Sequence, residues 1–430
     1  MNAKTLLQDD LRYIWHPCTQ MKDMDNFPIL PIKSGKGVYL YDFDDNKYID
    51  CISSWWVNIF GHNNSYINAR LKEQIDILEH IIFAGYTHEG IVRLSKRLIS
   101  ALPNKLDKCF YADNGSSAVE IALKMSHHLN LLQGKNKSIF LSLQNSYHGE
   151  TIGALSVCDI GIYKQTYKNI LISNMQTPIP KDSTRDSINI ALNELDSILQ
   201  KHSNSICAFI LEPLVQCAGG MNIYPKEFVK EASKMCKEAG IYVIFDEIAV
   251  GFGRSGEMFA LEECESTPDF LCLSKGITGG YLPLSVVVVS DDTYDAFYGD
   301  YNKSFLHSHS YNGNPLAVAC ANATFDIFEN NNIIENNRML SDFIFDKFCE
   351  LSEFSIVSNI RRKGMIFAFD LDVKYDRSFS LRFANLALKE GLIIRPLGNV
   401  VYFMPPYVIT KEEVIFVINA LKNIIKTLGK

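Results

Sequence analysis

Five short runs through the middle of the chain are apolar at nearly every position: "SIFLSL" (138–143), "ICAFILEP" (206–213), "IYVIF" (241–245), "FLCLS" (270–274) and "LSVVVVS" (284–290). A strand with one wet face alternates apolar and polar residues. Runs without alternation are buried on both faces, as in a parallel sheet covered by helices on each side. The spacer "PKEFVKEASKMCKEAG" reads as such a helix, with Phe228, Ala232 and Met235 on one face and Gly240 as its stop. The expected fold class is therefore α/β with a mostly parallel sheet. From about Thr324 the pattern changes to helices separated by "MIFAFDL" and "VVYFMPP", which predicts a smaller α+β domain.

At 430 residues, 47% hydrophobic and 21% charged, the chain is long enough to bury a large core. Its formal net charge of −7 offers no basic footprint for nucleic acid or an anionic membrane, so small molecules are the expected partners. The eleven cysteines are scattered and contain no CxxC pair, so no metal site or redox couple is predicted. The first residues lack a signal peptide's apolar stretch, and no apolar run approaches the roughly 20 residues that span a bilayer. A cytoplasmic location is the expectation.

Ligands of open α/β sheets sit beyond the carboxyl ends of the strands, which directs attention to the residues that follow these runs. Glu212, Asp246-Glu247, Lys275 and the turn Asn145 to Gly149 occupy those places. Gly251 to Gly256 fits GxGxxG, the pattern of a dinucleotide site. That reading fails twice: five residues, two of them carboxylates, separate the strand from Gly251, and Asp269 precedes the next strand instead of ending it. Asp246 alone reads as a turn cap, and Lys275 alone as an exposed turn residue. Together they meet two needs of pyridoxal phosphate: a lysine for the Schiff base and a carboxylate to keep the pyridine nitrogen protonated. The third need is a phosphate cradle, and "FYADNGSSAVEIALKM" supplies a helix start at Gly115 and Ser116 whose N–H groups suit it. A capping box Ser117-x-x-Glu120 fits the same residues. Tyr147, in "NSYHGE", can either cover the cofactor ring or pack in the core.

The segments "DNGSSAVEIALKM", "NSYHGETIGALSVC", "LEPLVQCAGGM", "FDEIAVGFGRSGEMFALE", "LSKGITGGYLPLS" and "HSYNGNPLA", in this order, resemble the class III (omega-type) pyridoxal-phosphate aminotransferases. "IWHPCTQM", "CISSWWVNIFGHNN" and "IIRPLGNVVYFMPPY" are similar to the branch that aminates 8-amino-7-oxononanoate in biotin biosynthesis, and the likeness runs from about Trp15 to Tyr407. The resemblance implies a fold-type I homodimer with active sites at the subunit interface. It also implies an N-terminal segment, 1–60, packed with a small domain, 326–430, and a large cofactor-binding domain, 61–325. By matching positions, Lys275 is the catalytic residue, both covalent anchor and proton shuttle, and Asp246 holds the pyridine nitrogen. Gly115 and Ser116 bind the phosphate, Tyr147 covers the ring, and His309 with Ser310 reaches the partner subunit's phosphate. Trp56 is implied as a wall of the substrate pocket. Arg395 is implied as the fork on a substrate carboxylate, a bidentate fit that lysine lacks. Trp55 and Trp56 alternate sides if extended. Arg254 lies close enough in sequence to Asp246 to line the same cavity. The implied reaction moves an amino group from S-adenosylmethionine to 8-amino-7-oxononanoate, giving 7,8-diaminononanoate.

Three positions in two stretches depart from the family pattern. Cys18 stands where many relatives carry a tyrosine whose hydroxyl meets the substrate, and Ser308-His309 stands where many carry Gly-Pro. Both Cys18 and Ser308 are candidate substrate contacts. The missing tyrosine leaves lysine open as an alternative donor, because a branch without it uses lysine. A different omega-aminotransferase activity and a non-catalytic module are the remaining readings; the Trp-Trp pair speaks against the first and Lys275 with Asp246 against the second.

Overall fold

The computed structural model describes residues 2–27, 29–374 and 378–428. The chain divides into two compact units, Met1–Ser65 with Asn337–Lys430 and Tyr66–Asn336.

The second unit is built on seven strands: β1 Lys108–Ala112, β2 Ile139–Leu143, β3 Asn174–Thr177, β4 Ile206–Leu211, β5 Tyr242–Asp246, β6 Phe270–Leu273 and β7 Ser285–Val289. Their spatial order is β1-β7-β6-β5-β4-β2-β3. Four of the five apolar runs lie parallel side by side, with Tyr242 of β5 beside Ala208 and Ile244 beside Phe270. The fifth, β7, runs antiparallel to both its neighbours. Connection length explains the exception. A parallel return needs a dozen or more residues, usually a helix. Only residues 274–284 separate β6 from β7, and they form a 3₁₀ turn at Lys275–Thr278.

Strands β4, β6 and β7 are buried at every position. Helix α1, Gly115–Leu132, lays Ala118, Ala122, Met125 and Leu129 on this sheet against Cys207, Ile210, Ile244, Cys272 and Val287. The alanines let the helix approach closely, and each larger apolar side chain taken from water contributes about 1.5–3 kcal/mol. Helix α2, Arg185–His202, precedes β4, and α3, Lys226–Glu238, feeds β5. In α3, Phe228 and Ala232 are buried as the periodicity predicts, but Cys236 takes the buried place expected for Met235, which is half-buried. Gly240 has the left-handed φ of +67° that ends such a helix.

In the first unit, "MIFAFDL" and "VVYFMPP" form the antiparallel strands Ile366–Leu371 and Val400–Phe403, joined by Val357–Lys363. A second sheet combines both ends of the chain: Ile32–Lys36, Tyr39–Asp42 and Lys47–Asp50 pair in sequence, and Leu392–Ile393 adds in parallel to the last. Among the described residues, no helix is long and apolar enough to cross a membrane, and no three His, Cys, Asp or Glu side chains are grouped to hold a metal.

Candidate active site

Asp246 is the last residue of β5 and is almost completely buried. A carboxylate in such a place needs fixed partners. It has two: His148 Nδ1 lies 2.7 Å from Oδ2, and the Ile248 N–H donates to Oδ1 at 3.1 Å. His148 sits in the turn after β2 and is itself buried, its backbone N–H donating to Cys158 Sγ at 3.1 Å. Its Nε2 has no hydrogen-bond partner among the described residues. Asp246 is thereby immobilised with its charge at the carboxyl edge of the sheet.

Lys275 follows β6 after one residue and is half-buried. Its φ of +46° is left-handed, a conformation that costs a non-glycine residue about 1–2 kcal/mol and concentrates at functional sites. The strain is held in place: Ser274 Oγ donates to the Leu284 carbonyl at 2.8 Å, and a Cβ on Gly276 would lie 3.0 Å from Phe252 Cβ. Burial lowers the Lys275 ammonium below the ordinary lysine range, against the opposing pull of Asp246, Cys217 and Glu212. An amine that gives up its proton easily is suited to nucleophilic attack and to shuttling protons.

Glu212, just past β4, fastens neighbouring turns. Its Oε2 accepts from the Tyr147 N–H and its Oε1 from the Cys217 N–H, each at 3.1 Å, while the Tyr224 hydroxyl donates to its carbonyl. Burial, reinforced by the Asp246 charge, pushes its carboxyl up to about 8. Tyr147 is half-buried and its hydroxyl donates to Glu150 Oε1 at 3.0 Å. Burial and Glu150 raise that hydroxyl, so the ring stays neutral.

The helix start differs in detail from the capping box. Asn114 is the cap, its side chain accepting from the Ser117 N–H at 3.0 Å. Ser117 lies inside the helix, and Glu120 instead accepts from the N–H groups of Gly153 and Ala154 at 2.7 and 3.1 Å. Gly115 and Ser116 therefore occupy the first two helical positions, whose N–H groups have no intrahelical acceptor. Ser116 Oγ accepts from the Glu150 N–H at 3.1 Å. Gly149 closes onto it: a Cβ there would fall 2.0 Å from Ser116 Oγ, and φ is +128°. Gly115 also packs closely, though less tightly: a Cβ there would lie 3.0 Å from Ile248 Cγ2. The turns after β1, β2 and β5 thus converge.

Glu247 does a different job from its neighbour. It is fully buried and accepts from the N–H groups of Ala260 and Leu261 at 2.6 and 2.7 Å, at the start of the short helix Ala260–Cys264. The glycines between are a turn and open no helix. Burial pushes the Glu247 carboxyl up to about 8. A carboxyl raised on folding contributes most stability while protonated in both states, and that contribution fades as pH rises from about 4.3, its unfolded value, towards the folded value. Glu247→Gln removes this titration and turns an amide NH₂ towards a backbone N–H, at a cost of about 1–3 kcal/mol. Thermal melts should show the variant below wild type by a gap that is widest near pH 5 and narrows towards pH 8.

Arg254 is 1% exposed. Its charge and that of Lys275 draw down the Cys217 thiol, which burial and Glu212 push up, so Arg254 belongs electrostatically to the same cluster. Ser308 and Ser310 are exposed, on the stretch before helix Pro315–Asn330. The His309 N–H donates to Asn312 Oδ1 at 3.2 Å, and its Nε2 lies 3.3 Å from His307 Nε2.

Cys18, Trp56 and Arg395 belong to the first unit. Arg395 Nη2 donates to the Cys18 carbonyl at 3.2 Å, and its guanidinium lies 4.9 Å from the centroid of the Trp55 ring. The Trp pair is not extended: Ser53, Ser54, Trp55 and Trp56 have φ of 49°, 48°, 69° and 75°, one left-handed turn of L-residues. The two rings still part company, in a definite sense. Trp56 is 4% exposed and packs edge-on to Tyr402, whereas Trp55 is 41% exposed. Trp55 is therefore the more accessible of the two rings, while the expected pocket wall, Trp56, is buried against Tyr402.

Sequence reasoning gave no role to His148 or Glu212. Each follows a buried run by a few residues, and that position was the available signal.

The family Aminotransferase class-III matches residues 19–425. The chain is 55% identical to the adenosylmethionine-8-amino-7-oxononanoate aminotransferase of Helicobacter pylori, over 98% of each chain. It is similar in structure to the enzyme of that name from Methanocaldococcus jannaschii (TM-score 0.94, 35% identity, 100% of both chains). It is also similar to an amine transaminase of an uncultivated Pseudomonas species in its PLP-bound form (TM-score 0.91, 29% identity, 97% of this chain and 99% of that one). With its buried Asp246, its left-handed Lys275 and the glycine-lined turn at Ser116, the chain belongs to the class III aminotransferases.

Proposed function

We propose that this chain transfers an amino group from S-adenosylmethionine to 8-amino-7-oxononanoate, forming 7,8-diaminononanoate in biotin biosynthesis. It is a transaminase, and its cofactor is pyridoxal 5′-phosphate. The observation that carries the reading is the pairing of Lys275, an amine lowered by burial, with Asp246, a buried carboxylate fixed by His148 and Ile248. When bound, the cofactor supplies an electron sink that stabilises negative charge at a substrate carbon.

The residues fit that group. Asp246 would face the pyridine nitrogen with its carboxyl group, Gly115 and Ser116 would offer N–H donors to the phosphate, and the Tyr147 N–H is tied to Glu212. Lys275 would anchor the cofactor through Nζ, and the same amine, lowered by burial, would serve as the acid–base group that moves a proton at the substrate carbon. Arg395 takes the acceptor's carboxylate, with Trp55 as its wall and the Cys18 carbonyl bracing it. Arg254 and Ser308 serve as further substrate contacts. His309 and Ser310 reach the partner subunit's phosphate in a cytoplasmic homodimer.

The name of the Helicobacter pylori relative supports S-adenosylmethionine as donor. Lysine is the second reading, favoured by Cys18 in place of the family's tyrosine, since a thiol lacks a phenol's reach and strength as a hydrogen-bond donor. Single-turnover assays separate them. The pyridoxal form should convert to the pyridoxamine form with S-adenosylmethionine, and 8-amino-7-oxononanoate should return it. Conversion by lysine alone overturns the donor, and no return by the keto acid overturns the acceptor.

A further inference from the structure

The left-handed turn Ser53–Trp56 cannot persist on its own backbone preferences, so its surroundings must over-determine it. One side chain, Asp50, bonds to the turn and to the chain on either side of it. Asp50 is 1% exposed; its Oδ1 accepts from the Ile52 N–H at 3.2 Å, and its Oδ2 from Ser54 Oγ at 2.7 Å and from His62 Nε2 at 2.9 Å. It thus grips the chain before, within and after the turn. His62 is equally fixed. Its Nδ1 accepts from Asn58 Nδ2 at 3.0 Å, and its backbone exchanges hydrogen bonds with Gly37 at 2.7 and 3.0 Å.

Asp50 also stands opposite the strand that leads to Arg395. Ile393 is its parallel partner, the Cys51 N–H donates to the Ile393 carbonyl at 3.1 Å, and Arg395 follows two residues later. The Trp55 ring and the guanidinium over it therefore project from two arms tied together at Asp50. Hydrogen bonds from His62 and Ser54 outweigh the effect of burial and hold the Asp50 carboxyl below its usual range, so it is an ionised acceptor for all three donors.

We propose that Asp50, acting through Ser54 and His62, is a positioning residue that sets Trp55 and Arg395 to receive the carboxylate of the amino acceptor. The inference rests on the reading of Arg395 as the carboxylate's partner. The alternative is a purely structural role in folding the N-terminal sheet.

Asp50→Asn keeps the volume but replaces one accepting oxygen with a donor, and Ser54→Ala removes a single hydrogen bond and serves if the first variant fails to fold. Each is assayed in the acceptor half-reaction with 8-amino-7-oxononanoate and with its methyl ester. Loss of positioned binding should raise KM for the acid about tenfold while kcat changes less than about threefold and KM for the ester stays put. An equal rise for acid and ester, or no rise in folded protein, overturns the proposal. Arg395→Ala is the control. If it erases the preference for acid over ester and neither other variant does, positioning by Asp50 fails while the carboxylate reading stands. If it leaves the preference intact, that reading fails and the proposal falls with it.

Discussion

Lys275→Ala should abolish transamination, lowering kcat by more than about 10⁴-fold, because one substitution removes both the covalent anchor and a proton shuttle whose acid–base work alone is worth about 10²–10⁴. The fold should survive. The 3₁₀ turn at Lys275 is held by backbone bonds from Ile277 to Ser274 at 3.2 Å and from Gly279 to Gly276 at 2.9 Å, which alanine leaves in place. The variant also no longer pays for burying an ammonium, the cause of its lowered pKa. Its melting temperature without cofactor should therefore match or exceed wild type. With cofactor added, the variant should lose the visible absorbance of the lysine-linked form, and a small primary amine in the buffer should restore part of the single-turnover rate by standing in as base. Activity within tenfold of wild type would remove Lys275 from the chemistry.

The legibility of this molecule follows the range of the forces involved. Strands β2, β4, β5 and β6 were readable because burial on both faces leaves a continuous apolar run. The direction of β7 was not, since its composition matches theirs and only the short connection after Lys275 reverses it. Strands β1 and β3 are only partly buried and carry weaker apolar signals. At the site, Asp246 and Lys275 stood out by position at adjacent strand ends. The partners that make Asp246 tolerable are less visible: His148 is 98 residues away, and nothing local to "NSYHGE" says which carboxylate it meets. Asn114 won the helix cap over Ser117 because it precedes the helix in extended backbone, with φ of −151°. The turn at Trp55 left no trace in sequence at all, because Ser-Ser-Trp-Trp has no glycine to announce positive φ. Its conformation is imposed by Asp50, Met404 and His62 from outside.

Asp246→Asn should be the second most damaging change, with kcat falling about 10²–10³-fold, the usual loss when one preorganised electrostatic partner is removed. The substitution keeps the volume and deletes the charge, and the surrounding bonds indicate how it will be accommodated. Asp246 Oδ2 can only accept, so His148 must present Nδ1–H to it. In the variant, the amide oxygen keeps the Ile248 N–H and the NH₂ faces His148, which adapts by carrying its proton on Nε2, the nitrogen with no hydrogen-bond partner among the described residues. The cluster stays packed, so melting temperature should fall little while the rate collapses. What is lost is the charge that keeps the pyridine nitrogen protonated. A cofactor analogue with carbon in place of that nitrogen separates the two effects. Wild type should drop to about the variant's rate with the analogue, and Asp246→Asn should lose almost nothing further, because the carboxylate and the ring nitrogen act as one unit. Independent, additive losses from the substitution and the analogue would show that Asp246 acts on something other than the ring nitrogen, and its hydrogen bond to His148 would then be the first place to look.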